Sequence, residues 1–97
     1  MIRMSSFEKL FGKTAQLQVL ENILDKRGNT TFLFGIAEET GLSHSSVSRV
    51  MEPLIKLGIV NEQKVGKVFR TFMLNEENEL TRKLLKFYKE IDKFLDV

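Results

Sequence analysis

The chain has 97 residues, 42% hydrophobic and 29% charged, with a net charge of +2. This is the balance of an ordinary globular protein with one domain and a modest core. The absence of cysteine excludes disulfides and thiolate metal sites and points to an intracellular, cytoplasmic protein. No apolar run approaches membrane-spanning length, and the opening MIRMSSFEKL lacks a signal-peptide core. A charge of +2 is too small to argue a nucleic-acid partner alone. Residues 1–75 carry ten Lys/Arg and seven Asp/Glu, and residues 76–97 carry five and six, so the body is mildly basic and the tail mixed. Scattered surface charge explains these figures equally well. Eight Phe beside one Tyr and no Trp lead us to expect a core packed with aromatic rings.

In chain order, Phe7, Leu10 and Phe11 form an apolar cluster at helical spacing, ended by Gly12. Thr14 reads as an N-cap. Leu17, Leu20 and Leu24, widened by Val19 and Ile23, give the next helix a broad buried face. Lys26-Arg27-Gly28 is its stop signal, with the basic pair at the carbonyl end of the helix dipole. Asn29 to Phe32 is β-branched and aromatic, a brief strand. A helix from Leu33 or Phe34 to Thr40 follows, then Ser43 caps another that runs to about Leu57. The inner face of that helix is Val47, Val50, Met51, Leu54 and Ile55. Pro53 removes one of its hydrogen bonds, but the apolar spacing continues through the proline.

Gly58 ends this helix. Ile59–Lys64 and Val68–Leu74 read as a β-hairpin closed by the tight turn Lys64-Val65-Gly66-Lys67. Val68, Arg70, Phe72 and Leu74 share one parity and Phe69, Thr71 and Met73 the other. Both carry apolar groups, so alternation does not say which face is buried. Asn75, followed by Glu76 and Glu77, reads as the N-cap of a last helix. Along that helix Leu80, Leu84, Phe87, Ile91 and Phe94 repeat at 4-3-4-3, the seam of a coiled coil.

The stretch GIAEETGLSHSSVSRVMEPLIKLG, Gly35 to Gly58, carries the functional signal. Ala37, Gly41 and Val47 stand at helix-turn-helix spacing. A small residue allows close helix approach, a glycine closes the turn at positive φ, and an apolar β-branched residue points inward. With the hairpin behind it, the order is that of a winged helix: mainly α with a small β-hairpin and an added C-terminal helix. Residues 1–75 form the winged helix and 76–97 the tail helix, which we expect to dimerise through Leu80, Leu84, Phe87, Ile91 and Phe94. The alternative for this helix is to fold back on its own core.

At IAEETGLSHSSVSRVMEPLIKLGIV and the hairpin after it, the chain resembles the small prokaryotic winged-helix transcriptional regulators grouped with the ArsR and MarR repressors, the archaeal members most of all. The resemblance covers roughly Leu10 to Leu74. It implies double-stranded DNA as partner, the second helix of the motif in the major groove, the wing on flanking backbone or minor groove, and a homodimeric regulator, most simply a repressor. Ser43, His44, Ser45, Ser46, Ser48 and Arg49 are then the DNA-facing residues of that helix. Helical geometry independently places Ser45, Ser48, Arg49 and Glu52 opposite its apolar face. Arg49 can bond guanine bidentately. The serines serve equally well as caps or solvated groups, and His44 as an exposed first-turn residue. Lys64 and Lys67 at the turn, with Arg70 beyond, suit phosphate contacts, although lysines also protect a strand edge. Glu52 would repel phosphate, marking the edge of the footprint or accepting from cytosine.

No nucleophile–base pair, Gly-rich phosphate loop or paired catalytic carboxylates can be identified, so we expect no enzyme. One histidine without cysteine makes a metal site improbable, and no cofactor or small-molecule ligand is evident. The competing reading is a winged helix that binds protein in a transcription or assembly complex. An adhesive protein surface should show large exposed apolar groups, whereas the recognition face here is serine-rich with an arginine.

Overall fold

A computed structural model describes residues 6–95, so the outer ends of the two expected spans, 1–75 and 76–97, lie outside the described residues. Helix α1 (Ser6–Phe11) is followed by α2 (Ala15–Asp25), strand β1 (Thr31–Phe32), helices α3 (Leu33–Thr40) and α4 (His44–Lys56), strands β2 (Val60–Val65) and β3 (Phe69–Leu74), and helix α5 (Glu79–Leu95). The three strands form one antiparallel sheet in the order β1-β3-β2. With α2, α3 and α4 packed together beside this sheet, the chain is a winged helix.

Local chemistry sets most of the helix boundaries. The Thr14 hydroxyl accepts from the Leu17 amide at 3.2 Å and caps α2. The turn between α3 and α4 needs a left-handed residue, and Gly41 supplies it at φ 77°, its amide bonded to the Ala37 carbonyl at 2.9 Å. The Ser43 hydroxyl then accepts from the Ser46 amide at 3.1 Å to start α4. Pro53 lies inside α4 without breaking it; the only helix bond its ring removes is the one to the Arg49 carbonyl. The helix ends in a Schellman motif. Gly58, at φ 78°, bonds to the Ile55 carbonyl and Ile59 to that of Leu54, both at 3.0 Å. A side chain at position 58 would run into the Asn78 carboxamide.

Val19, Ile23, Leu24, Ile36, Ala37, Val47, Met51 and Leu54 form the interior with Ile59, Val60, Phe72 and Leu74. Ala37 and Val47 meet here as the helix-turn-helix spacing requires. Leu17, Leu20, Val50 and Ile55 cover the edges, half-buried. The sheet buries Val60, Phe72 and Leu74, so the parity shared by Arg70, Phe72 and Leu74 is the inward one.

Several sequence expectations are corrected. Val65 pairs with Phe69, so the hairpin loop is Gly66–Val68 and Lys64 lies within β2 opposite Arg70. Asn75 is not the cap of the last helix. Asn78 is, accepting from the amides of Leu80 at 2.8 Å and Thr81 at 3.2 Å, while Asn75 forms an Asx turn with Glu77 and donates to the Gly58 carbonyl at 3.0 Å. Helix α2, by contrast, ends at the expected Lys26-Arg27-Gly28 signal, with Lys26 as its C-cap. Lys26 pairs with Glu39 on α3 and Arg27 with Glu76 at 2.7 Å, so both serve tertiary contacts. The aromatic core is also overturned. Phe7 and Phe72 are buried; Phe11, Phe32, Phe34, Phe69, Phe87 and Phe94 are exposed.

Helix α1 packs along α5. The Phe7 ring meets those of Tyr88 and Phe87 at centroid distances of 4.8 and 5.9 Å. Leu85 and Ile91 are buried within the chain, with Leu84, Tyr88 and Leu95 half-buried. This removes Ile91 from the exposed seam and leaves Leu80, Phe87 and Phe94, spaced by seven residues, facing solvent.

The Tyr88 hydroxyl donates to Asp25 at 2.7 Å, tying α5 to the end of α2. Burial, and then this bond to a carboxylate, push the phenol above its ordinary range. Unfolded, it titrates near 10, so its contribution is complete below that pH and is lost as pH rises. Unfolding free energy should therefore fall from about pH 10 upward. In urea titrations, Tyr88→Phe should show a shallower fall than the parent above about pH 10. Identical slopes would remove Tyr88 from the alkaline transition.

Candidate nucleic-acid interface

Opposite its apolar face, α4 presents Ser45, Arg49, Glu52 and Lys56 to solvent. These positions repeat at intervals of four, three and four residues and form one stripe along the helix. His44 is exposed at its first turn. In the hairpin Lys64 and Lys67 are exposed, one in β2 and one in the loop. Among the described residues Arg49, Lys56, Lys64 and Lys67 make no ion pair.

The serines divide. The Ser43 hydroxyl caps α4, donates to the Ser46 hydroxyl at 2.9 Å and lies 3.2 Å from that of Ser45. Ser43 and Ser46 are thereby engaged in starting the helix. Ser45 keeps an exposed hydroxyl beside this network. Ser48 is half-buried and its hydroxyl accepts from Arg70 Nη1 at 2.7 Å.

Arg70 joins the wing to α4. Its Nε donates to Glu62 on β2, Nη2 to Glu52 on α4 at 3.2 Å, and Nη1 to Ser48. The guanidinium lies over the Phe72 ring, 5.2 Å from the centroid. The Glu62 carboxylate, more than any other group, keeps this cation more firmly protonated than usual. Three donors of the fork thus have protein partners, so Arg70 is engaged within the chain, unlike Lys64 and Lys67, which are exposed and unpaired. The same contact explains Glu52, which sequence reasoning left as a repulsive group at the edge of a footprint. Its charge is paired.

Sequence reasoning missed an aromatic group beside this surface. Phe32, Phe34 and Phe69 are exposed and in mutual contact. The signal was present as two Phe flanking Leu33 and one at the start of β3, but counting them as core concealed it. Among the described residues no cluster of His, Cys, Asp and Glu stands at metal-binding spacing, and no helix is long and apolar enough to cross a membrane.

The fold has solved counterparts. The crystal structure of NadR in complex with 4-hydroxyphenylacetate is similar over 94% of this chain, with a TM-score of 0.63 and 16% identity. The chain spans 63% of the length of that NadR chain. Sso10a-2, a DNA-binding protein from Sulfolobus solfataricus, is similar over 86% of this chain and 84% of its own, with a TM-score of 0.59 and 16% identity. No family model and no curated protein sequence matches the chain. At 16% identity the likeness establishes the architecture, a winged helix.

Removing Arg70 strands two carboxylates. The partly buried bond to Glu62 and the weaker, half-exposed one to Glu52 lead us to expect Arg70→Ala to lower unfolding free energy by about 2 kcal/mol. Arg70→Lys should recover little, because a single ammonium cannot serve three directions. Urea unfolding of both variants checks this, and parent-like stability in Arg70→Ala would exclude the clamp as a stabilising contact.

Proposed function

We propose that this chain is a double-stranded-DNA-binding transcriptional regulator that acts as a homodimer. Helix α4 enters the major groove and the β2–β3 hairpin rests on flanking backbone or minor groove. The observation that carries the reading is the shared exposed face of α4 and the wing. Arg49, Lys56, Lys64 and Lys67 are free of carboxylate partners there, while the two nearby carboxylates, Glu52 and Glu62, both pair with Arg70, which offsets part of their charge. Such a surface suits a polyanion. Arg49 reads base edges, Lys64 and Lys67 hold phosphates, and His44 and Ser45 contact backbone at the start of α4. Ser43, Ser46, Ser48 and Arg70 support the surface from within. The protein belongs in the cytoplasm, works without metal, cofactor or small-molecule effector, carries out no chemistry on its ligand, and represses by occupying its site. It is of the small prokaryotic type that its helix-turn-helix resembles.

The likeness to Sso10a-2, a DNA-binding protein, supports this reading. The apolar stripe on α5 supports the dimer. Leu80 and Phe87 are more than two-fifths exposed and Phe94 is 77% exposed, with Leu10 and Phe11 also facing solvent on α1. A two-fold pairing of these helices buries the stripe and sets two copies of α4 on half-sites one or more helical turns apart.

Gel-shift titration over a range of salt tests DNA binding. Arg49→Ala should weaken binding to a selected site by about 1–3 kcal/mol. Lys64→Ala and Lys67→Ala should weaken binding to every sequence and each reduce the salt slope by about one. Undiminished binding with all three changes combined would reject this docking mode.

Sedimentation tests assembly. The unmodified chain should be a dimer at tens of micromolar, and Leu80→Asp with Phe87→Asp should make it a folded monomer. Ile91 is unsuitable for this purpose, because Asp there would enter the core of a single chain. A monomeric parent protein would remove the dimer and with it the paired half-sites.

A further inference from the structure

Phe32 and Phe34 are stacked with ring centroids 5.2 Å apart, and Phe69 meets them edge-on at 6.2 and 6.4 Å. Each ring is between 37% and 50% exposed. A cleft of about 220 Å³ opens beside them, lined by Leu33, Phe34, His44, Val68, Phe69 and Arg70. His44 is the first residue of α4, so the cleft is continuous with the candidate nucleic-acid interface. Val68, beside Lys67 in the hairpin loop, is 80% exposed. No carboxylate lines the cleft.

We propose that this cleft takes an unpaired nucleobase, so that the chain binds single-stranded DNA by stacking bases on Phe34 and Phe69. Three features select this occupant. The cleft is below the 300–1,000 Å³ of drug-sized pockets but suits one flat ring. Its walls combine exposed aromatic rings with the Arg70 guanidinium and the His44 imidazole, and Lys67 adjoins Val68 in the hairpin loop. A nucleic-acid strand offers a π face and a phosphate in every repeat, and stacking on aromatics tolerates any base. Lys67 and His44 flank the rings where the strand would continue. An intact duplex keeps its base faces stacked on each other, so this binding is separate from insertion of α4 into a groove and rests on Phe34 and Phe69, which groove binding does not use, although His44 and Lys67 border both surfaces.

The test uses the full chain and an oligothymidylate of about 16 nucleotides, the upper end of site sizes for such strands. The strand carries iodouracil, which photocrosslinks to the ring it stacks on. The unmodified protein should bind it and crosslink at Phe34 or Phe69. Phe34→Ala and Phe69→Ala should each weaken strand binding about tenfold, leave duplex binding nearly unchanged, and be rescued by Tyr. Failure to bind the strand, or crosslinks confined to other residues, overturns the proposal. So does equal strand affinity in the parent and in a variant carrying both Phe34→Ala and Phe69→Ala, the result expected if the rings serve a protein partner. Loss of strand and duplex binding together also overturns it. Duplex binding is measured in parallel, so its failure is distinguishable from failure at this cleft.

Discussion

The contact of Arg70 with Glu62, Glu52 and Ser48 fastens the hairpin to α4. Beyond its first residues the hairpin has few apolar side chains pointing inward. Phe72 and Leu74 anchor β3 and Val60 anchors β2, but toward the loop the inward positions are Glu62, Lys64 and Arg70. Without a cation there, two carboxylates would face one another across the gap between wing and helix. One planar guanidinium satisfies both and reaches the Ser48 hydroxyl as well, with the Phe72 ring beneath it. The contact therefore sets both geometry and charge: it holds the hairpin at a definite position along α4 and offsets part of the negative charge on the face the two elements share.

The joint between the winged body and α5 is built from polar contacts at the helix start and apolar ones farther along. Asn78 caps α5 and donates to the Leu57 carbonyl at 3.1 Å, so one side chain ends one helix and begins another. Asn75 bonds to the Gly58 carbonyl, and Arg27 holds Glu76. The left-handed Gly58 lies at the centre of this joint and leaves room for Asn78. Farther along, Phe7 packs against Tyr88, and Tyr88 reaches Asp25. The tail is thus oriented by the body, as a helix must be if it is to set the spacing of two paired bodies.

The six exposed phenylalanines form two surfaces. Phe11, Phe87 and Phe94 lie on α1 and α5, and Phe32, Phe34 and Phe69 on β1, α3 and β3. Contiguous aromatic exposure is costly for a monomer in water and marks interaction sites. The first surface has the seven-residue spacing of a helix seam and suits a second copy. The second lies beside cations and the start of α4 and suits a flat, anionic ligand.

The sequence by itself determined the helix-turn-helix, the caps and the order of elements. Ala37, Gly41 and Val47 act through spacings of a few residues, and Thr14 and Ser43 bond amides three positions away, so their consequences are local. The error at Asn75 and Asn78 is of the same scale: both are good caps three residues apart, and the Asx turn at Asn75 delays the helix by one turn. Only the tertiary structure decided which side chains meet. Arg70 and Ser48 are 22 residues apart, Arg27 and Glu76 49, and Tyr88 and Asp25 63. Alternation along β3 allowed either face to be buried; the register with β2 and the packing over α4 turned Arg70 inward. Composition likewise counted eight phenylalanines but could not distribute them. Phe72 entered the core between the helices and the sheet, Phe7 was buried where α1 packs on α5, and six remained outside.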